Sequence, residues 1–242
     1  MNKLIFISIL LISVLSSCSK KYKITGEASV SRLDGRMLFL KVVKDGAFVN
    51  IDSAEVIHGL FKMKGKVDST QMVTLFIDDV SIMPLVLEGG NIKISITNTA
   101  LEAKGTPLND RLYSFIENRN ILEADVNDLG SKEARLILDG EDPLVAHNKV
   151  QKEGDSLADV MNKQVKEFFA ENYENVLGPG VFMMLCSSMP YPIMTPQIED
   201  IMKDAPYSFK NDPSVKDFLN KAKENLELIK EHQRMNANAA SN

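Results

Sequence analysis

From Tyr22 to about residue 105 apolar and polar residues alternate in short runs, and beyond that point the apolar positions recur every three to four residues. The clearest alternation is 91–97, where Ile92, Ile94 and Ile96 fall on one side of a strand and Lys93, Ser95 and Thr97 on the other. Leu38, Leu40 and Val42 repeat the pattern. Turns are marked by Asp34-Gly35, Asp45-Gly46, His58-Gly59 and Gly89-Gly90-Asn91, which separate predicted strands over 36–43, 48–57, 60–67, 72–77, 85–88 and 91–97. No helix of ordinary length fits between these signals. The spacing predicts an antiparallel β-sandwich of about seven or eight strands over residues 22–105.

The helical period begins at Gly105-Thr106-Pro107, where Thr106 can cap a helix whose first position is Pro107. Leu108, Leu112, Phe115 and Ile116 then share a face. A second helix is expected over 144–172, with a break at Gly154-Asp155-Ser156, and a third, apolar nearly all round, over 179–188. Thr195-Pro196 and Asp212-Pro213 each open another. In the last, Val215, Phe218, Leu219, Ala222, Leu226 and Ile229 form the apolar side. Residues 236–242 have no periodicity and are expected to fray as a disordered tail. The fold class is therefore α+β, an N-terminal antiparallel β-sandwich followed by a C-terminal helical bundle over residues 106–235.

Ahead of both regions lies a third pattern. Lys3 precedes an apolar run from Leu4 to Leu15, and Ser16-Ser17-Cys18 follows. A positive start, a short apolar stretch and small residues describe a secretory leader over residues 1–17, with Cys18 in the place where a bacterial lipoprotein is acylated, by palmitate for example. The run is about a dozen residues, short of the roughly 20 a membrane-crossing helix needs. Attachment to the membrane is then expected through lipid on Cys18, with residues 18–21 as a short tether. Several acyl chains would make the anchor effectively permanent.

Charge and cysteine content narrow the class. The formal charge of the 242-residue chain is -5, and loss of Lys3 with the leader leaves the remainder more acidic by one. No basic stripe with interleaved aromatics is visible along the chain, so a nucleic-acid partner is not expected. If Cys18 is acylated, Cys186 is the single remaining cysteine, and no internal disulfide can form.

Five words of the strand region resemble a known family: Tyr22-Lys23-Ile24-Thr25-Gly26, Ile51-Asp52-Ser53-Ala54, Gly59 with Phe61 and Gly65, Leu85-Val86-Leu87-Glu88-Gly89-Gly90, and Gly105-Thr106-Pro107-Leu108-Asn109-Asp110. The chain is similar to Gram-negative envelope lipoproteins that begin with the domain of unknown function DUF4369. In that family the β domain is followed by helices and often by a thioredoxin-like module that handles disulfides in the periplasm. The resemblance implies an envelope location. A thioredoxin site needs a Cys-x-x-Cys pair, in which one thiolate attacks and the other resolves. The chain has none, nor any Trp, so the disulfide-exchange activity is not carried over.

Other candidate chemistry is sparse. Cys186 sits among Met183, Met184, Met189 and Met194, a soft donor set for copper(I), but Cys and Met are also ordinary fillers of buried helix surface, and that is the role expected of them. His58, His147 and His232 lack the i, i+4 pairing of a zinc helix. Asp78-Asp79 and Glu141-Asp142 lack the alternating spacing of a calcium loop and read as turns and caps. Ser53 has no nucleophile elbow, and Gly89-Gly90 leads into a strand rather than a phosphate-binding helix. No catalytic, cofactor or metal residue is assigned; the one assigned site is lipidation at Cys18. The expectation is a non-catalytic binding or accessory lipoprotein on the periplasmic face of the outer membrane, partnered by the membrane through its lipid and by an envelope protein or small ligand. The alternatives are an accessory subunit of a separate thioredoxin-like oxidoreductase, or an enzyme whose site is dispersed in sequence. Lys20 and Lys21 can rest against anionic head groups.

Overall fold

The computed structural model describes residues 20–240. The chain divides into two compact units. A strand unit runs up to Met83 and again over Leu87–Leu101, and a helical unit takes Pro84–Val86 and everything from Glu102 onward.

Among the described residues eight strands form: β1 Lys20–Ala28, β2 Met37–Lys44, β3 Ala47–Glu55, β4 Leu60–Val67, β5 Gln71–Ile77, β6 Val80–Leu87, β7 Gly90–Ile96 and β8 Leu101–Lys104. They make two four-stranded sheets, in the orders β4-β1-β7-β8 and β3-β2-β5-β6. The expectation of a wholly antiparallel sandwich needs one correction, because β1 runs parallel to β7. A parallel pair requires a long crossover, and the five strands between them supply it. The first strand also starts earlier than expected, at Lys20, inside the stretch read as a tether. Cys18 and the leader lie outside the described residues.

The inner faces follow the period of two. Ile24, Leu38, Leu40, Leu75 and Ile92 are fully buried. Two glycines on the first sheet are shaped for aromatic rings. Tyr22 stands opposite Gly65 and Gly26 opposite Phe61 across the β1–β4 ladder. A Cβ on Gly26 would fall 2.0 Å from the Phe61 ring, and one on Gly65 would fall 2.6 Å from the Tyr22 hydroxyl. Each ring lies over the glycine of its partner strand, which covers a backbone that has no side chain of its own. At Asp45-Gly46 both φ angles are positive, 51° and 77°, the mirror-image turn that suits a tight hairpin. Strand β6 is twice as long as predicted because Pro84, which breaks a central strand, sits here on an edge strand where a missing N–H is tolerated.

The helical unit comprises α1 Pro107–Leu138, α2 Pro143–Asn172, α3 Leu177–Cys186, α4 Pro196–Asp204, α5 Tyr207–Lys210 and α6 Pro213–Ala240. Helix α2 runs through Gly154 without the expected break. A Cβ there would meet Leu129 of α1 at 3.2 Å, so the glycine lets two long helices approach rather than ending one. Helix α6 continues to Ala240, past the predicted start of a disordered tail at residue 236; Ala237, Ala239 and Ala240 are strong helix formers with no Gly or Pro between them. Residues 241–242 lie outside the described residues. The core is a chain of rings: Phe115 and Phe168 with centroids 4.3 Å apart, Phe169 and Phe209 at 5.9 Å, and Phe182 and Phe218 at 5.2 Å.

Candidate functional site: the outward faces of the strand unit

Each sheet of the strand unit turns one face outward, and the two faces carry opposite chemistry. On the β3-β2-β5-β6 sheet the outward positions include Phe39 and Lys41 of β2, Phe48 of β3 and Phe76 of β5, brought together by the pairings Phe39↔Phe76 and Val43↔Phe48. Phe48 is 54% exposed and meets Phe76 edge to face, 4.8 Å between centroids. Lys41 Nζ stands 4.5 Å from the centre of the Phe76 ring and 5.7 Å from that of Phe39, a cation held over aromatic faces. Its other partners are the Asp79 carboxylate at 3.7 Å and the Asp78 carbonyl at 3.4 Å. Val43, opposite Phe48 across the ladder, adds exposed apolar surface beside it. A bulge shapes this edge: Leu40 pairs with Asp52 and Lys41 with Asn50, leaving Ile51 as an extra residue that bends β3.

The β4-β1-β7 face is cationic. Lys21 and Lys23 of β1, Lys62, Lys64 and Lys66 of β4 and Lys93 of β7 all point outward and are exposed. The register sets Lys21 opposite Lys66 and Lys23 opposite Lys64, while Lys62 and Lys93 flank Thr25 from either side. Among the described residues none of the six forms an ion pair, and the acid on this face of β1 is Glu27, at its far end. Like charges directly opposite in an antiparallel ladder destabilise it, by something on the order of 0.2–1 kcal/mol a pair.

Between the sheets, Tyr22 donates its hydroxyl to Asp52 Oδ2 at 2.7 Å, and Asp52 Oδ1 accepts from the Ser53 N–H at 2.8 Å. Burial first, and then the Asp52 carboxylate, hold the Tyr22 phenol protonated well above its ordinary range. In the helical unit, Asn109 is fully buried and its amide pairs with both the N–H and the C=O of Val86, at 2.9 and 2.7 Å. It also donates to Thr106 Oγ1 at 2.8 Å. Thr106 stands at the predicted N-cap position but makes no side-chain cap; its hydroxyl is taken by Asn109 instead. Tyr113 donates to the Pro84 carbonyl at 2.7 Å.

The residues weighed from sequence fall as follows. Cys186 is buried at the end of α3, and burial pushes its thiol up to about 12. His58 occupies a hairpin turn with φ of 53°, His147 Nδ1 faces Glu133 at 3.2 Å, and His232 is exposed on α6. Among the described residues no three His, Cys, Asp or Glu gather as metal ligands. Asp142 caps α2 through the Leu144 and Val145 N–H groups, and Asp78 pairs with Arg36 beside a hairpin turn. An open groove of about 510 Å³ beside the His58-Gly59 turn is bounded by Glu27, Ser29, Asp34 and Leu60. No helix of the described residues is long and apolar enough to cross a membrane. Sequence reading missed both outward faces, although the alternation Lys62, Lys64, Lys66 was there to be found.

The quoted words of the strand region thus have structural roles: ring-over-glycine pairs, the Tyr22–Asp52 link and the Asn109 clamp. No curated protein and no solved structure matches the chain. Residues 22–112 match the family described as Domain of unknown function (DUF4369), so the strands and the opening turns of α1 constitute a DUF4369 domain.

Proposed function

We propose that this chain is an envelope lipoprotein, anchored through acyl groups on Cys18 at the periplasmic face of the outer membrane, and that its DUF4369 domain serves as a non-catalytic binding module. The observation that carries the reading is Phe48, a phenylalanine more than half exposed beside Lys41 and the Phe39 and Phe76 rings. Aromatic residues grouped on a rigid sheet are the usual anchors of protein contacts, because they bring large area at small cost in rotamer freedom. Thiol exchange by the chain itself is disfavoured on chemical grounds. A buried thiol titrating near 12 supplies almost no thiolate at neutral pH.

In-cell photo-crosslinking from position 48, with position 163 on the exposed side of α2 as control, tests the reading. One discrete adduct from position 48 alone is expected, together with a mature N-terminus at an acylated Cys18 by mass spectrometry. An adduct with a thioredoxin-like protein would narrow the module to an accessory of that enzyme. Absence of any adduct from position 48, or an unmodified N-terminus, contradicts it.

A further inference from the structure

The lysine face gives the strand unit a strong local positive charge on a chain whose formal charge is -5. Several cations elsewhere in the chain are neutralised locally: Lys132 faces Glu153, Lys166 faces Asp204, and Lys221 faces Asp217. Among the described residues none of the six sheet lysines forms such a pair, and the register sets Lys21 against Lys66 and Lys23 against Lys64. Solubility does not require this arrangement, since the acidic remainder already supplies net charge. An external anion would relieve it.

The place of β1 identifies the source of that anion. Strand β1 begins at Lys20, two residues after Cys18. Two extended residues span at most about 7 Å, so a Cys18 held by acyl chains keeps the first sheet residues at the height of the lipid head groups. From there Lys21, Lys23 and, across the ladder, Lys66, Lys64 and Lys62 continue along β1 for about 17 Å at the rise of an extended strand. We propose that the outward face of β4-β1-β7 lies flat against anionic phospholipid head groups, with β1 along the bilayer surface, so that six ammonium groups and the acyl anchor act together. The proposal rests on the anchored reading given above. It adds a second, electrostatic attachment that fixes the orientation of the strand unit and leaves the aromatic face of the other sheet available to a partner.

The test separates the two attachments. The chain from residue 18 with Cys18→Ser carries no acyl group, so any partition to vesicles comes from the protein surface. In 50 mM salt it is expected to co-sediment at least tenfold better with vesicles of 30% phosphatidylglycerol in phosphatidylcholine than with phosphatidylcholine alone, and to be released in 0.5 M NaCl. Replacing Lys62, Lys64 and Lys66 by Glu should weaken that partition by about a hundredfold or more, at roughly fivefold for each lysine lost. The matching Gln variant, which removes charge without adding any, should fall by about a hundredfold, with melting curves confirming that both variants stay folded. Equal sedimentation with both vesicle types overturns the proposal. So does full binding by the Gln variant, or retention by an acidic protein or nucleic acid without retention by the anionic vesicles. Mass spectrometry of the native N-terminus reports on the anchor independently, and vesicle binding by the Cys18→Ser chain would stand even where no acyl group is found.

Discussion

The strand unit and the helical unit use the same residue types to opposite ends. Several lysines of the helical unit are matched with acids one helical turn away or on a neighbouring helix, as with Lys163 and Glu167 or Lys132 and Glu153. Those of the first sheet are stacked against one another. Glycines serve close approach in both units, Gly26 and Gly65 leaving room for a ring and Gly154 for Leu129, whereas Gly130 in α1 has nothing within 4 Å. The ion pairs of the helical surface support its own stability, while the like-charge pairs of the sheet surface give some away, a mark of a face kept for something outside the chain.

Substitutions can break this contrast. The largest effect is expected for Gly26→Val, which drives a side chain into the Phe61 ring; a loss of about 3 kcal/mol or more, measured by urea unfolding, would agree with a space already filled. Next is Asn109→Ala, which strips both hydrogen bonds from the buried Val86 backbone and should cost about 2–3 kcal/mol. A loss below 0.5 kcal/mol, well under the ~1 kcal/mol of one ordinary hydrogen bond, would mean that the clamp contributes little.

Cys186 sharpens the comparison through pH. Its thiol ordinarily titrates at 9.0 and is pushed up to about 12 in the fold, so the unfolded chain loses this proton first as pH rises. The stabilisation is complete below about pH 9 and disappears on the way to about pH 12, and Cys186→Ala should flatten that alkaline fall in chemical denaturation. A residual slope above the ordinary phenol range belongs to Tyr22, Tyr113 and Tyr173, all raised first by burial. An unchanged slope in the variant would place Cys186 in contact with water.

Smaller effects carry the contrast in sign. Gly130→Ala should raise stability by about 0.5–1 kcal/mol, since a helix interior gains from a methyl that meets nothing. Lys23→Glu, facing Lys64, should stabilise the strand unit by up to about 1 kcal/mol, while Lys132→Glu, facing Glu153, should destabilise the helical unit by about 0.5 kcal/mol. Thermal melts of the pair test this directly. Shifts of the same sign would mean that the sheet lysines are no more frustrated than the helical ones.

Much of this architecture is legible in the alternation of residues. Strand β4 is predicted at its observed limits, Leu60–Val67, because its inward Phe61, Met63 and Val67 and outward lysines leave one register. Strand β6 is predicted over only 85–88, whereas it runs from Val80 to Leu87 with Pro84 inside it, tolerated because the strand lies on a sheet edge. Of the outward faces, the lysines of a single strand are readable, but their union across β4, β1 and β7 is a matter of register between segments about 40 and 70 residues apart. The aromatic face is hidden for the same reason, since Phe39, Phe48 and Phe76 meet through two strand pairings. Asn109 looks like one polar residue in a helix's first turn, and nothing local announces that its amide closes on Val86.

Strand β1 is bonded on both sides, to β4 in one direction and to β7 in the other, with Lys20 opposite Val67 and Tyr22 opposite Gly90. The earliest made of these three strands therefore waits for residues made much later before its backbone is satisfied. Long sequence separation of this kind slows closure, because loop entropy must be lost before any pairing rewards it. Until β7 arrives, the leading edge of the polypeptide stays open to whatever acts on it.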